Sequence, residues 1–276
     1  AHTLTEKAKI SNCKSYVNII TKNEGYPTPG GIVSNLNNGS IIENCENYGT
    51  IICNGENTGG GIVGSMSFYT NEEENCRDYT VIANCTNYGD VTINATIEGA
   101  PVVVKMGGIC GDFNFGTIFN CANKGNVTVT TENNWTQDLG GIVGFCRGEK
   151  IDGIINCYNS GEINSSSNSA DQNIGGIVGK GYVGLFNNVY YTIRVTNIVN
   201  NDDATFSIGH IETYDGSAGS DITNNFYKKS GESTYDVNNI DSVINILNAY
   251  SNINGYLKWG KDSNGNIIFS EEITGN

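Results

Sequence analysis

One short motif returns along this chain, and its regular spacing constrains the fold more than any other feature. The segment IENCENYGTI at 42–51 is followed by IANCTNYGDV at 82–91, IFNCANKGNV at 118–127 and IINCYNSGEI at 154–163, and a looser copy, ISNCKSYVNI, stands at 10–19. A repeat of 32 to 40 residues made of short β-type segments cannot bury a hydrophobic face alone, but stacked copies can. The sequence therefore predicts a stack of similar units.

A second motif alternates with the first. It reads GGIVS at 30–34, GGIVG at 60–64, GGICG at 107–111, and GGIVG again at 140–144 and 175–179. This run resembles the GLUG motif, named for a Gly-Leu-any-Gly consensus, with Ile here in place of the usual Leu. GLUG motifs are found in tandem in large bacterial surface proteins, in adhesin-like proteins and in the N-terminal region of some immunoglobulin A peptidases. The resemblance implies an exported parallel β-solenoid on the cell surface.

The two motifs predict an all-β fold, a right-handed parallel β-helix (β-solenoid) of about six to seven coils. Each coil of such a fold pairs with the next at about 4.8 Å, so equivalent residues form rows along the molecule, and parallel crossovers are right-handed. We expect Ile and Val rows to line three short faces, with the asparagine before each motif cysteine in the left-handed conformation at a corner. Segments 65–83, 92–106 and 128–139, which carry the length differences, are expected to be loops.

The motif cysteines are expected to form a buried row of free thiols. They are Cys13, Cys45, Cys85, Cys121 and Cys157. Cysteine is among the most readily buried residues, and parallel Cβ atoms about 4.8 Å apart do not meet the separation of about 3.8 Å that a disulfide needs. The chain contains no CxxC pair, so we expect no metal site. The cysteines outside the row are Cys53, Cys76, Cys110 and Cys146.

The C-terminal part differs from the repeats, which become irregular after Gly179. We expect a solenoid over 1–235 and a capping segment over 236–276. Within that segment, a stripe of apolar residues in 241–252 predicts a short helix that begins at Asp241 and closes the open edge of the last coil. The pair Asn264-Gly265 predicts a final hairpin.

Composition narrows the possible partners. The net charge of the 276 residues is −14 and no basic patch occurs, so binding to nucleic acid is not expected. No stretch approaches the roughly 18 apolar residues of a membrane-spanning helix. The N-terminus lacks the apolar core of a signal peptide, so we expect a monomeric fragment of a larger surface protein, and the resemblance implies an extracellular location, at the cell surface or secreted.

Catalysis is not expected, because the residues of common catalytic sets are scarce. The chain has only two histidines, His2 and His210, and no HExxH segment. No cofactor is expected either. The alternative is a polysaccharide lyase or hydrolase, which needs carboxylates that converge in a groove. The clusters that offer them in sequence are Glu72, Glu73 and Glu74, and Asp202 with Asp203.

Aromatic residues are the best candidates for binding. Tyr16, Tyr48 and Tyr88 each stand three positions after a motif cysteine, and Tyr69 and Trp135 lie in expected loops. Exposed aromatics on a rigid scaffold stack on sugars or anchor proteins; the alternative is that they shield the solenoid or pack under their own loops. We predict a non-enzymatic, adhesin-like protein that binds host or environmental glycans or proteins, or that displays its surface to them. A purely structural stalk remains a further alternative.

Overall fold

The chain forms short strands in parallel sheets and two helices in the part that the structure, a computed structural model, describes. The described residues are 2–22, 28–54, 58–66, 80–95, 103–131, 135–147, 153–166, 171–186, 189–191, 194–202, 206–213, 221–227 and 239–274. This architecture is that of an all-β, parallel β-helix, as the repeats predict. The hand and the number of coils remain predictions.

Four sheets are built from parallel strands of successive repeats. The first consists of Thr3–Leu4, Val33–Leu36, Val63–Met66, Cys110–Phe113, Val143–Cys146, Val178–Phe186 and Ile208–Thr213, with Val189–Tyr191 added antiparallel to Val178–Phe186. The third consists of Ile19–Ile20, Ile51–Asn54, Val91–Ala95, Val127–Thr131 and Ile163–Ser165. The fourth consists of Thr58–Gly60, Val103–Gly107, Thr136–Gly140 and Gln172–Gly175.

The second sheet contains two rows of strands, one on each side of the motif cysteines. The row before the cysteines is Lys9–Ser11, Ile41–Glu43, Val81–Ala83, Thr117–Phe119 and Gly153–Ile155. The row after them is Lys14–Ser15, Glu46–Asn47, Thr86–Asn87, Ala122–Asn123 and Tyr158–Asn159. Two longer strands, Arg194–Asn200 and Asp221–Tyr227, continue both rows. The motif residues are in register, since Ile42 pairs with both Ile10 and Ile82.

The expectation of three faces with long loops between them is wrong. Parts of the segments 92–106 and 128–139 form strands of the third and fourth sheets. The physical reason is a two-residue alternation of apolar side chains in these segments, which buries Ile93, Val104 and Val129 in the interior. Extra chain length between motifs therefore extends the coils and adds a fourth sheet.

The row of free thiols is confirmed for four of its five members. Cys45, Cys85, Cys121 and Cys157 are buried, and each Sγ donates to the carbonyl two residues before it, at 3.1 to 3.3 Å. Burial raises the pKa of the Cys85 and Cys121 thiols well above the ordinary value. Cys13 is exposed, contrary to expectation, because no described strand lies on the other side of its coil.

Two rows of asparagines form ladders of side-chain amides. The corner asparagines, which precede the motif cysteines, have φ values of 51° to 55°, as predicted for left-handed corners; they are Asn12, Asn44, Asn84, Asn120 and Asn156. The interior asparagines lie two residues after a motif cysteine or, in the coil that follows, two residues after Ile198, and they are fully buried: Asn47, Asn87, Asn123, Asn159 and Asn200. Their amides bond from coil to coil at 2.8 to 3.2 Å, so buried polar groups are satisfied within the ladder.

The interior asparagines explain why the two motifs occur together. The second glycine of each GGI run packs against one of them, and a Cβ atom built on Gly108 would lie 2.1 Å from Cγ of Asn123. The same Cβ would lie 2.2 Å from the carbonyl oxygen of Gly141 in the next coil. Only glycine fits this position, because the backbone and the amide ladder approach it from two sides.

The C-terminal residues 239–274, here called the cap, contain helix α1 (Ile240–Asn254), a hairpin of Trp259–Lys261 with Ile267–Phe269, and helix α2 (Ser270–Thr274). The hairpin turns at Asn264-Gly265, as expected. The predicted helix start is wrong by two residues, because the side chain of Asn239, and not Asp241, accepts the hydrogen bond of the N-terminal cap. The predicted boundary at 235 and 236 lies outside the described residues.

The cap packs on the outer surface of the second sheet. We expected it to close the open edge of the last coil, but its described contacts are with the face of the sheet. Outward side chains of the sheet, Ala122, Tyr158, Val199 and Phe226, form one buried cluster with residues of the cap. The cap residues are Val243, Leu247, Trp259, Ile267 and Phe269. The cap docks here because these outward positions are apolar, whereas a sheet facing water alternates apolar and polar residues.

Candidate functional site

The three candidate tyrosines lie beside each other on the outside of the molecule. The ring centroids of Tyr16 and Tyr48 are 4.9 Å apart and those of Tyr48 and Tyr88 are 4.5 Å apart, with ring planes within 9° and 2° of parallel. Their exposed fractions are 67%, 38% and 38%. We call this set the tyrosine stack. Its spacing follows from the coil repeat, which places equivalent residues about 4.8 Å apart.

Stacking limits what the rings can offer to a ligand. Both faces of Tyr48 are covered by its neighbours, and the ammonium group of Lys124 lies 5.0 Å from the centroid of Tyr88. A sugar that packs on a ring face, as the sequence suggested, therefore finds an open face only at Tyr16. Elsewhere the stack presents ring edges and hydroxyl groups to a ligand.

An ion pair between Lys14 and Glu46 binds the hydroxyl of the central tyrosine of the stack. The hydroxyl of Tyr48 donates to the carboxylate of Glu46, and Nζ of Lys14 lies 2.8 Å from the same carboxylate. Partial burial raises the pKa of Glu46, but the hydrogen bonds from Lys14 and Tyr48 outweigh it and hold this pKa below the usual value. Glu46 therefore remains ionised at neutral pH.

A cleft of about 340 Å³ lies at the end of the stack, between Tyr88 and the cap. Its lining residues come from three coils and from the cap: Asn44, Glu46, Asn84, Thr86, Tyr88, Asn120, Leu257, Phe269, Glu271 and Glu272. The coils contribute a floor of amide and hydroxyl groups, and the cap contributes an apolar wall with two carboxylates. This mixture of apolar surface and convergent polar groups is typical of small-molecule sites.

The cap wall of the cleft is held firmly against the coils. Glu272 forms an ion pair with Lys124 and accepts a hydrogen bond from the buried hydroxyl of Tyr158 at 2.7 Å. On the other side, Nε1 of Trp259 donates to Oδ1 of the corner asparagine Asn156 at 2.7 Å. Because these contacts join the cap to several coils, the cleft exists before any ligand binds.

The remaining candidate residues are placed elsewhere. Trp135 is a correction, because only 3% of it is exposed and it packs with Val129 and Leu139 in the core under the third and fourth sheets. It lies two residues before buried Gln137, so the strand alternation directs its side chain inward. Tyr69, the cluster Glu72, Glu73 and Glu74, and Asp203 lie outside the described residues, and Asp202 is buried.

Sequence reasoning missed a row of charges where the first and fourth sheets meet, here called the charged furrow. Lys105 pairs with Asp112 at 2.8 Å, and Lys180 pairs with Glu212 at 2.8 Å. Between them, the buried carboxylate of Asp138 accepts a hydrogen bond from the Asn173 amide at 2.7 Å. Burial raises the pKa of Asp138 to about 6.

The furrow could have been found from the alternation of residues in its strands. Lys105 pairs with Asp138 in the fourth sheet, and Asp138 with Asn173, so these three residues form a row like the motif positions. The variable lengths of these segments predict loops, and a prediction of loops conceals the alternation. The described residues contain no group of three or more His, Cys, Asp or Glu side chains that could hold a metal ion. Among the described helices, none has the length and apolar character needed to cross a membrane.

Comparisons with known proteins give one distant structural similarity. No protein-family model matches the sequence, and no curated protein matches it significantly. The chain is similar to a crystal structure described as "a putative immunoglobulin A1 protease from Bacteroides ovatus", with 21% identity and a TM-score of 0.46. The similarity covers 96% of this chain and 75% of that one. At this distance it assigns no activity or ligand to the present chain.

Proposed function

We propose that this chain is a GLUG-type, right-handed β-solenoid of six to seven coils, located at the bacterial cell surface or secreted, that binds host or environmental glycans or proteins without catalysing a reaction. The observation that carries the proposal is the exposed tyrosine stack beside the cleft. The stack lies beside the part of the second sheet that the cap leaves open, which we call the open flank, and the cleft lies between this flank and the cap. The residues of the open flank are Lys14, Glu46, Thr86 and the tyrosine stack.

The physical basis is a rigid scaffold that presents aromatic and polar groups at fixed intervals. The amide ladders and the parallel strands hold the stack in one geometry, so a ligand does not have to order it. Binding residues on rigid scaffolds lose little conformational entropy when the ligand arrives. Tyrosine also supplies large contact area together with a hydrogen-bonding hydroxyl, which is why it is common at recognition surfaces.

The test is a binding screen of the purified chain on a glycan array and on a panel of extracellular matrix proteins. A variant with Tyr16→Ala, Tyr48→Ala and Tyr88→Ala should lose at least about tenfold in affinity for whatever the wild type binds. Ile246→Ala, at an exposed position of α1, is the matched control and should bind normally. Equal binding by the triple variant contradicts the proposal, and no binding by the wild type favours a structural stalk.

A polysaccharide-active enzyme is the second candidate, and the charged furrow is the observation that favours it. The furrow brings the carboxylates of Asp112 and Asp138 near Lys105 and Lys180, and Asp138 has the raised pKa expected of a general acid. It ranks second because only 1% of Asp138 is exposed, so a substrate has no direct access to its carboxylate. Release of reducing sugars or unsaturated products from a polysaccharide panel, abolished by Asp138→Asn, would reverse the ranking.

A further inference from the structure

We propose that copies of this chain stack end to end, with the first coil of one copy on the last coil of another, and so form open-ended assemblies. The first coil is residues 2–22, and the last coil contains the strands Ile208–Thr213 and Asp221–Tyr227. The partner is therefore a second copy of this chain. Such stacking does not depend on the proposed binding of glycans or proteins.

Both ends of the solenoid carry strands that pair on one side only among the described residues. In the first coil, three strands of the first and second sheets pair only with the next coil: Thr3–Leu4, Lys9–Ser11 and Lys14–Ser15. Both strands of the last coil pair only with the coil before them. The described contacts of the cap are with the face of the second sheet, so they leave this edge uncovered. An unpaired strand edge is a template for a strand of another chain.

The apolar positions of the two ends are in register. Leu4 and Ile211 belong to one row, which continues from coil to coil through Leu36, Met66, Phe113, Cys146 and Gly181. Ile10 and Ile222 belong to the row of motif isoleucines. All four end residues are partly buried and pack against the main core. A second copy placed at the coil spacing of about 4.8 Å sets Leu4 over Ile211 and Ile10 over Ile222, so both rows continue.

The backbone also turns in the same way at the two ends. Asn12 and Asn224 are both left-handed, with φ values of 55° and 47°. They directly follow Ser11 and Thr223, which lie in one row of paired residues. The corner of the last coil therefore has the conformation that a further coil needs beside it.

Charge favours the first coil on the last coil over other arrangements. Residues 2–22 contain four lysines and one glutamate, whereas residues 194–227 contain five Asp or Glu residues and one arginine. Two of these lysines form ion pairs with the next coil, and Lys7 and Lys22 are exposed. Two first coils in contact would bring like charges together, and so would two last coils, whereas a first coil on a last coil joins opposite charges. Because the two copies use different surfaces, the assembly does not close at a dimer.

The test is sedimentation velocity of the purified chain, without any ligand, from about 1 µM to about 200 µM. The sedimentation coefficient of the wild type should rise with concentration and pass the value of a dimer, since each added copy leaves one end free. A chain that stays monomeric over this range would overturn the proposal, and so would an association that stops at a dimer.

Two variants identify the surfaces that meet. Thr3→Pro with Ser11→Pro removes two backbone N–H groups of the first coil. Both point away from the next coil, because their neighbours His2, Leu4 and Asn12 make the bonds to it. His210→Lys with Thr223→Lys adds positive charge at two exposed positions of the last coil, where the basic first coil would lie.

Each double variant alone should remain monomeric, because each has only one intact end. An equimolar mixture should form a dimer and stop there, since one intact first coil and one intact last coil are present. Association of the lysine variant alone would mean that first coils meet each other, and this result would overturn the proposed order. Ile253→Lys, at a residue of α1 that is 84% exposed, is the matched control and should associate like the wild type. Circular dichroism shows whether each variant is folded.

The thiol of Cys13 gives a second measurement that does not require a variant. Cys13 is exposed in the single chain and lies in the first coil, so a stacked copy covers it. At concentrations where the wild type is assembled, maleimide should modify Cys13 at least about fivefold more slowly than in the dilute monomer, as measured by peptide mass spectrometry. Unchanged reactivity in the assembly would place the contact elsewhere and overturn the proposal.

Discussion

The open flank and the part of the same sheet under the cap are built on the same backbone but carry different outward side chains. One position after the motif cysteine, the open coils have Lys14, Glu46 and Thr86, all polar and at least partly exposed. At the equivalent position under the cap, Ala122, Tyr158, Val199 and Phe226 are buried in the cluster with the cap. Three positions after the cysteine, the tyrosine stack gives way to Lys124, Ser160 and Asn201, which are polar.

The difference shows that inward and outward positions of the repeat follow separate rules. Ile42, Ile82, Ile118 and Ile154 are fully buried in both regions, because every coil stacks on its neighbours in the same way. The polarity of outward residues instead depends on whether solvent or the cap covers them. An outward row that changes from polar to apolar along a solenoid therefore marks a surface where another part of the structure packs.

The largest loss of folding stability should come from substitution of the glycines that contact the interior asparagines. This loss should be equal under the cap and on the open flank. Gly108→Ala and Gly61→Ala each place a Cβ within 2.3 Å of an interior asparagine and 2.2 Å of a backbone oxygen. Neither neighbour can move without breaking a ladder, so each variant should lose about 4 kcal/mol or more, or fail to fold. Urea denaturation followed by circular dichroism measures the loss.

The matched control for these glycines is Gly153→Ala. Its Cβ would meet its nearest neighbour, the Arg194 carbonyl, at 3.0 Å, so its cost should be clearly smaller. A Gly61→Ala variant that is much more stable than Gly108→Ala would contradict the view that the open and covered coils share one interior.

The next largest loss of stability should differ between the coils under the cap and the open flank. Tyr158→Ala removes a fully buried ring under the cap, together with its hydrogen bond to Glu272, and should cost about 3 to 5 kcal/mol. Tyr48→Ala removes an exposed ring from the stack and should cost only about 1 kcal/mol. Thermal unfolding of both variants measures the difference, and equal losses would mean that the tyrosine stack is a structural element.

Sequence alone predicted the parts of the fold that every repeat contains. The buried Ile rows, the left-handed corner asparagines and the free thiols follow from like residues lying over one another. The place of the cap was not predictable in this way, because Ala122 and Tyr158 looked like ordinary variation of an outward position beside Thr86. Their apolar character is explained only by the cap, which packs on them. The cap begins more than 80 residues later in the chain.

The candidate site was predicted only in part, for reasons of geometry. The outward row of Tyr16, Tyr48 and Tyr88 could be read from the repeat, but the sequence did not indicate that the rings cover each other's faces. The burial of Trp135 could not be predicted, because the variable length of its segment predicts a loop, and a loop has no fixed alternation of inward and outward residues. The cleft could not be predicted, since four of its ten lining residues come from the cap.

The third test concerns the charged furrow, which buries a carboxylate without any cover from the cap. Because the folded pKa of Asp138, about 6, is above the usual 3.8, its contribution to stability is fully present below 3.8 and is lost as the pH rises through 6. Wild type should therefore lose about 2 kcal/mol relative to Asp138→Asn between pH 4 and 7. Chemical denaturation across this range measures the difference, and parallel curves for the two proteins would show that Asp138 is hydrated in solution.

The smallest change of stability with pH should be found at Glu46 on the open flank. Its sign is opposite to that at Asp138, because stability is lost as the pH falls. The folded pKa of Glu46 lies below its ordinary value of 4.5, so its contribution to stability is present above that pH and is lost as the pH falls further. Because the pair with Lys14 is largely exposed, the loss should be only roughly a few tenths of a kcal/mol, and it should decrease in high salt. Comparison of Glu46→Gln with wild type from pH 6 to pH 3 measures it. A loss as large as that at Asp138 would mean that the tyrosine stack depends on this carboxylate, and the open flank would then be as tightly constrained as the coils under the cap.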